Sequence, residues 1–470
     1  MMNILKEYRF IVESEDQNSI TLIVPENYNF LHVEEIRFKT GKNILLKKIP
    51  QDEFTKLLQE KLSQEDIVLE SQSEEVKAVS DILATEEDSP IVNLVNSILI
   101  KANTLNASDI HFEPYEDECL VRFRMDGVLH EYLKIPPTTY SSVVSRIKVM
   151  ANLNIAERRV PQDGRIGVRI GSKELDIRVS VVPTVFGERV VLRLLDKSGF
   201  LLTLEDLGFD NQSLEVYKKL IKKPYGIVLV TGPTGAGKST TLYASLLYIK
   251  NPRKNIITIE DPVEYQIKGI NQIQVNPKVG LTFASGLRSI LRQDPDIIMV
   301  GEIRDSETAD IAVHAALTGH LVLSTLHTND AASSVARLVD MGVEPFLIAN
   351  ALEGVVAQRL VRKICPYCKK PYKPSKLEVE ELGLDTSQDY TFFKGEGCQF
   401  CMNTGYKGRI GIYEVLAFDD ELKSLIIKTQ DSIEIENLAK KKGFKTMFED
   451  GVQKVLSGIT TPQELLAVIK

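Results

Sequence analysis

The spacing of hydrophobic and polar positions changes along this chain, and the changes divide it into parts. Up to about residue 70, short apolar stretches (Arg9-Phe10-Ile11-Val12, Ile20-Thr21-Leu22-Ile23-Val24) are separated by polar turns. Phe54-x-x-Leu57-Leu58-x-x-Lys61-Leu62 then recurs at helical spacing, so a small N-terminal α/β module over residues 1–80 is expected. Residues 71–90 are rich in Ser, Glu and Asp and end on Ser89-Pro90, which predicts a solvated linker. From Ile91, the apolar residues Val92, Val95, Ile98, Leu99 and Ala102 share one helix face. Four alternating runs follow: Leu120–Arg124, Gly167–Ile170, Leu175–Ser180 and Arg189–Leu194. Many of their arginines alternate with apolar residues, which puts those arginines on one sheet face, opposite the core. These elements predict an α+β domain over 90–200. Residues 201–208 lead to a third part, 209–470, where strand-like and helical runs alternate as in a parallel α/β sheet. No internal repeat or low-complexity tract is present.

A length of 470 residues is too great for one core and agrees with about three domains. Apolar residues at 43% and charged residues at 26% are ordinary for a soluble globular protein. The net charge of −8 and pI near 5.6 argue against a dedicated nucleic-acid binder. No apolar run approaches the roughly 18 residues needed to span a bilayer. The start, Met1-Met2-Asn3-Ile4-Leu5-Lys6-Glu7, does not read as a signal peptide. A cytoplasmic location is therefore expected, with any membrane attachment supplied by a partner.

Four of the five cysteines form two Cys-x-x-Cys pairs, Cys365/Cys368 and Cys398/Cys401, inside a segment spanning 360–410. Two such pairs suit one closed tetrahedral Zn²⁺ site; a redox pair or four unrelated cysteines are the alternatives. Cys119 reads as a plain strand residue.

The most specific signal is Gly232-Pro233-Thr234-Gly235-Ala236-Gly237-Lys238-Ser239, followed by Thr240. It satisfies G-x-x-x-x-G-K-[ST] between an apolar strand run, Gly226–Val230, and a helical one. Its backbone N–H groups can cradle the β-phosphate of ATP at a helix N-terminus. Lys238 can reach the β- and γ-phosphates, and the Ser239 hydroxyl can ligate Mg²⁺. Asp296-Ile297-Ile298-Met299-Val300-Gly301-Glu302 is an apolar strand delivering a carboxylate, and Glu302 is assigned to orienting the attacking water. Gly301 occupies the place where a strand-end Asp is usual. Glu260, Asp261 and Glu264 close another apolar strand; they could hold Mg²⁺ through water or cap a turn. His320 and His327 bracket a further strand and could sense a γ-phosphate or serve as structural hydrogen-bonding groups.

Taken together these runs resemble the type II secretion and type IV pilus assembly ATPases, the type II secretion E protein family, over about residues 90–460. Gly232–Ser239 resembles the family's Walker A loop and Ile259–Glu264 its aspartate box. Leu291–Asp305 resembles its atypical Walker B segment, and Thr318–Asn329 its histidine box. The resemblance implies a RecA-like P-loop ATPase core preceded by a PAS-like α+β domain, assembled as a homo-hexameric ring. It implies that Arg178 and Arg193 of the preceding domain close over ATP, with Arg288, Arg292 and Arg304 as counterparts in the catalytic domain. It also supports the zinc knuckle. Arg122, Arg124, Arg165 and Arg189 read instead as exposed sheet-face arginines. Implied partners are an inner-membrane secretion-system protein gripping the N-terminal module and an inner-membrane platform protein.

Type II secretion is favoured over the alternatives of pilus extension and DNA-uptake pseudopilus assembly, whose motors share the same core, because residues 86–92 running into 107–111 look closest to the secretion branch and the N-terminal region is short for a pilus extension motor. A nucleic-acid translocase gripping its strand through the cysteine knuckle is a rival, supported by the basic run Lys369–Lys376 and opposed by the net acidity. A non-hydrolysing nucleotide sensor is a third reading, opposed by Glu302.

Overall fold

Alternation along Ser19–Pro25 buries Ile20, Leu22 and Val24 on one face, against Phe10, Val33 and Ile44. The computed structural model describes residues 10–16, 19–25, 42–50, 80–81, 89–170, 173–196 and 202–469, with Val33, Arg37 and Phe54. The expected helix running on from Phe54 and most of the expected linker lie outside these residues. Two units divide the chain, Met1–Ala78 and Val79–Lys470. In the first, β1 (Ile11–Glu15) pairs antiparallel with β2 (Ser19–Pro25), and β2 pairs parallel with β3 (Asn43–Ile49).

The second unit contains two seven-stranded sheets. The first is formed by β4 (Ser80–Asp81), β5 (Asp109–Pro114), β6 (Cys119–Met125), β7 (Val128–Ile135), β8 (Gln162–Ile170), β9 (Lys173–Thr184) and β10 (Gly187–Asp196), in the order β4-β8-β9-β10-β5-β6-β7. Helices α1 (Pro90–Thr104) and α2 (Pro137–Met150) bring Ile98, Leu99, Val143 and Ile147 onto the apolar side chains of these strands, Phe112, Phe123, Ile177 and Leu192 among them. The alternating arginines stand on the other face, where Arg178 of β9 lies directly opposite Arg193 of β10. They are not simply solvated. Buried Glu113 takes both Arg122 and Arg189 at 2.7 Å, and buried Asp109 takes Arg193 at 2.9 Å. Pairing of this kind relieves the repulsion that adjacent guanidinium groups would otherwise exert.

The second sheet is built from β11 (Gly226–Thr231), β12 (Ile256–Glu260), β13 (Asn271–Gln274), β14 (Ile297–Val300), β15 (Leu321–Leu326), β16 (Leu352–Ile364) and, beyond the hairpin β17 (Lys369–Tyr372) and β18 (Phe392–Gly395), β19 (Tyr406–Ala417). Its order is β13-β12-β14-β15-β11-β16-β19, parallel except that β19 runs antiparallel to β16. Every residue of β11, β12, β14 and β15 is buried, which is why these strands read as continuous apolar runs rather than alternating ones. Helices on both faces form two apolar cores. Among them, α3 (Lys238–Ile249) follows β11 directly, α4 (Phe283–Ile290) precedes β14 and α5 (Ser306–Leu317) precedes β15. In such a sheet the carboxyl ends of the strands form the ligand-binding edge.

On β19, Glu414 is buried and accepts N–H groups from Ala331 (2.6 Å) and Met447 (3.1 Å), tying two helical segments to the sheet. Burial pushes its carboxyl up to about 7 from an ordinary 4.5. The folded chain therefore holds this proton more tightly than the unfolded chain. The associated stability is fully present below about pH 4.5 and is lost as pH rises through 7, at up to about 1.4 kcal/mol per pH unit. Melting temperatures measured across pH 5–8 should show a shallower decline for Glu414→Gln than for the wild type. Parallel slopes would exclude Glu414 as the titrating group.

Candidate nucleotide site and cysteine cluster

After Thr231 the chain turns through Gly232–Gly237 into α3. Gly232 and Gly237 have φ of 145° and 87°. At Gly232 a Cβ would lie 2.4 Å from the Gln358 carbonyl oxygen, so the turn requires glycine there. The loop opens into a cleft of about 500 Å³ at the carboxyl edge of the sheet, lined by residues 234–240 together with Glu260, Asp261, Glu264, Glu302, Arg304, His327 and Arg193. Gly232 and Pro233 form the loop's base, and their carbonyls accept Lys238 Nζ at 2.7 and 3.1 Å. Burial lowers the Lys238 pKa, and nearby Glu302 opposes that shift.

Glu302 lies two residues beyond β14 and is only 12% exposed. Arg304 binds its Oε1 at 2.6 Å, and His327 Nε2 stands 3.6 Å from Oε2. Burial, with Lys238 close by, holds His327 below its ordinary 6.5, and Glu302 opposes that shift. The three strand-end carboxylates of β12 and the turn after it have different surroundings. Glu260 is buried, with both oxygens engaged by Tyr243, Thr258 and Gln272. Glu264 is bound by Arg178 at 2.8 Å. Asp261 is exposed at the cleft.

Of the arginines tied to nucleotide by resemblance, Arg193 and Arg304 line the cleft, and Arg178 touches its rim through Glu264. Arg288 and Arg292 do not line it. Arg288 pairs with Glu307 at 2.6 Å, and Arg292 donates to the Arg288 carbonyl at 2.8 Å. Of the two readings of His320, the structural one matches its place within this chain. His320 sits at the start of β15, where Gly226 N–H donates to its carbonyl at 3.1 Å and its Nδ1 lies 2.8 Å from the Ala315 carbonyl. The P-loop begins where β11 ends, so His320 and His327 stand at opposite edges of the sheet.

Three residues at the site belong to no motif. Tyr243 joins the P-loop helix to Glu260, Gln358 braces the loop, and Arg409 reaches the cleft from β19. Gln358 alone left a trace, a lone amide within the run Gly354–Ala357 and Leu360–Val361.

The four cysteines meet although residues 369–397 separate the two pairs. Their sulfurs lie within 4.8 Å of one another, with Cys365–Cys398 and Cys368–Cys401 at 3.8 Å and Cys398–Cys401 at 3.6 Å. A tetrahedron with Zn–S bonds of about 2.3 Å has edges of about 3.8 Å, so the cluster fits that ion. Backbone N–H groups of Cys398 and Gly405 point at Cys401 Sγ, at 3.2 and 3.3 Å, as suits a thiolate.

Residues 84–467 match the family model described as type II/IV secretion system protein. A type II secretion system protein E of Pseudomonas aeruginosa is 52% identical over 398 residues, covering 85% of this chain and 79% of that protein. The type IV pilus assembly ATPase PilB of Myxococcus xanthus is 46% identical over 467 residues, covering 95% and 82%. Among solved structures, the pilus retraction motor PilT with bound ADP superposes with a TM-score of 0.55 at 28% identity, covering 81% of this chain and 97% of that one. The second sheet is accordingly the RecA-like core expected from sequence, and the chain belongs to the type II/IV secretion system protein family.

Proposed function

We propose that this chain is an ATP-hydrolysing motor that drives pseudopilus assembly and protein export by type II secretion, working as a ring of six copies at the inner membrane. The observation that carries this reading is one cleft holding a P-loop, the half-buried acid Glu302 and an arginine from the preceding sheet. Gly235–Ser239 N–H groups and Lys238 bind the phosphates. Glu302, held by Arg304 and His327, orients the attacking water. The Ser239 hydroxyl and Asp261 are the groups free to hold Mg²⁺, which would neutralise charge on the phosphates. Arg193 contributes a fixed positive charge that matches phosphate oxygens.

Arg193 and the P-loop belong to different sheets, so nucleotide bound between them draws the sheets together and its departure lets them part. Further contacts cross the same boundary among the described residues, including Arg178–Glu264, Arg409–Asp126 at 3.7 Å and Asp126 accepting the Gly408 N–H at 2.7 Å. Repeated around a ring, this opening and closing could advance a partner along the axis. Among the described residues no helix is long and apolar enough to cross a membrane. Attachment is therefore assigned to an inner-membrane secretion-system protein holding the N-terminal module, with an inner-membrane platform protein receiving the stroke. Zn²⁺ at the four cysteines is a structural site in this reading.

A second reading, type IV pilus assembly, is favoured by one observation: the Myxococcus relative aligns over 95% of this chain, the Pseudomonas secretion protein over 85%. The chemistry is the same for both. Phosphate release from MgATP by the assembled chain tests the motor; no turnover in any assembled form would sink it. Deleting the gene in its host separates the pathways, since loss of protein export supports secretion, whereas loss of pili with normal export supports the second reading.

A further inference from the structure

Gln358 stands in the middle of β16 with no solvent exposure. A buried amide needs partners at both ends, and both of its partners belong to the phosphate loop and its helix. Its Oε1 accepts the Thr241 hydroxyl at 2.7 Å, in the first turn of α3, and its Nε2 donates to the Ala236 carbonyl at 2.6 Å. The strand also presses on the loop directly. A Cβ at Gly232 would collide with the Gln358 carbonyl oxygen, and one at Gly237 would stand 3.2 Å from Nε2.

A trans peptide plane carries its C=O and N–H on opposite sides. Holding the Ala236 carbonyl against Gln358 therefore turns the N–H of Gly237 the other way, toward the cleft that Gly237 lines. Gly237, at φ 87°, has no side chain to fix that plane itself. We propose that Gln358 is a positioning residue for phosphate binding, fixing the Ala236–Gly237 peptide so that its N–H is aimed at the anion before nucleotide arrives. This rests on the reading of the cleft as an ATP site. Preorganisation of this kind strengthens binding without adding any contact to the ligand.

The test compares full-length wild type, Gln358→Met and Thr241→Val in MgADP binding, in KM and kcat for MgATP, and in nucleotide-free melting. Methionine keeps the volume and loses both hydrogen bonds. It should weaken MgADP and raise KM by about tenfold, the scale of one charge-assisted hydrogen bond, with kcat at saturation within about threefold. Thr241→Val leaves the Ala236 contact in place and should shift affinity by less than about threefold. A purely structural role would instead lower melting and the active fraction, hence kcat per chain, with KM unmoved, and that result would overturn the proposal. Should the methionine variant fail to fold, Gln358→Leu decides, because it too removes the donor to the Ala236 carbonyl, and wild-type affinity in that variant would equally overturn the proposal. A wild-type chain binding neither MgADP nor MgATP would refute the ATP site itself, an outcome distinct from unaltered variants beside a binding wild type.

Discussion

Glu302→Gln should abolish most ATP turnover, by about 10²–10⁴-fold, while leaving nucleotide binding intact. The acid is set apart from the phosphate cradle: it follows β14, while the cradle follows β11 two strands away in the sheet order β14-β15-β11. Its carboxylate touches Arg304 and His327, and no P-loop hydrogen bond depends on it. An amide in its place still accepts from Arg304, so the local fold should persist. What is lost is a negative oxygen able to polarise and orient water. Binding should even tighten slightly, because the carboxylate is close enough to Lys238 to influence its pKa and repels an incoming polyphosphate. Single-turnover phosphate release and equilibrium nucleotide binding, measured on the same assembled protein, check both halves. A variant keeping more than about a tenth of wild-type turnover would remove Glu302 from the water-positioning role. Normal chemistry with lost binding would instead make Glu302 part of the phosphate cradle.

The parts of this site that could be read in the sequence are those whose physics is local. A phosphate loop needs its glycines, lysine and serine at fixed spacing between a strand and a helix, so Gly232–Ser239 announces itself. The buried parallel strands do so as well, because both faces are covered and the apolar run is unbroken. Pairings between distant segments left no such trace. The Arg178–Glu264 ion pair spans 86 residues and the Gln358–Ala236 hydrogen bond spans 122. Periodicity placed the arginines of β9 and β10 on one face but could not say which would be neutralised by a buried acid. Asp109 and Glu113 lie on a neighbouring strand and look like ordinary polar alternation. His320 takes the structural of its two readings, with Nδ1 2.8 Å from the Ala315 carbonyl, because a parallel sheet places its ligands at one edge and His320 stands at the other. Within this chain Arg288, on α4, pairs with Glu307, and Arg292, just beyond that helix, donates to the Arg288 carbonyl, so neither lines the cleft.

Loss of the Zn²⁺ proposed at the four cysteines should affect stability more than any single substitution in the nucleotide cleft, and its effect should stay within the knuckle. Besides the metal, the segment is held by Leu382 and Phe392, buried in the main core, and by the hairpin β17–β18, whose four paired residues on each side are too few to be stable alone in water. Backbones approach closely where Gly395 meets Gly405, and a Cβ at Gly395 would lie 2.0 Å from the Gly405 carbonyl oxygen, so the closure cannot be tightened by added side chains. A structural zinc can supply on the order of 10 kcal/mol toward such a closure. Cys398→Ser removes one thiolate and should lose about one equivalent of zinc per chain. Residues 365–405 should then become sensitive to limited proteolysis, while MgADP affinity stays near wild type because none of the four cysteines lines the nucleotide cleft. Chelation of the wild type under reducing conditions should reproduce the same cleavage pattern, and zinc should reverse it. Retention of a full equivalent by Cys398→Ser would refute the four-thiolate site. Zinc loss with no change in cleavage would show that the hairpin and its apolar contacts around Phe392 hold the knuckle without metal.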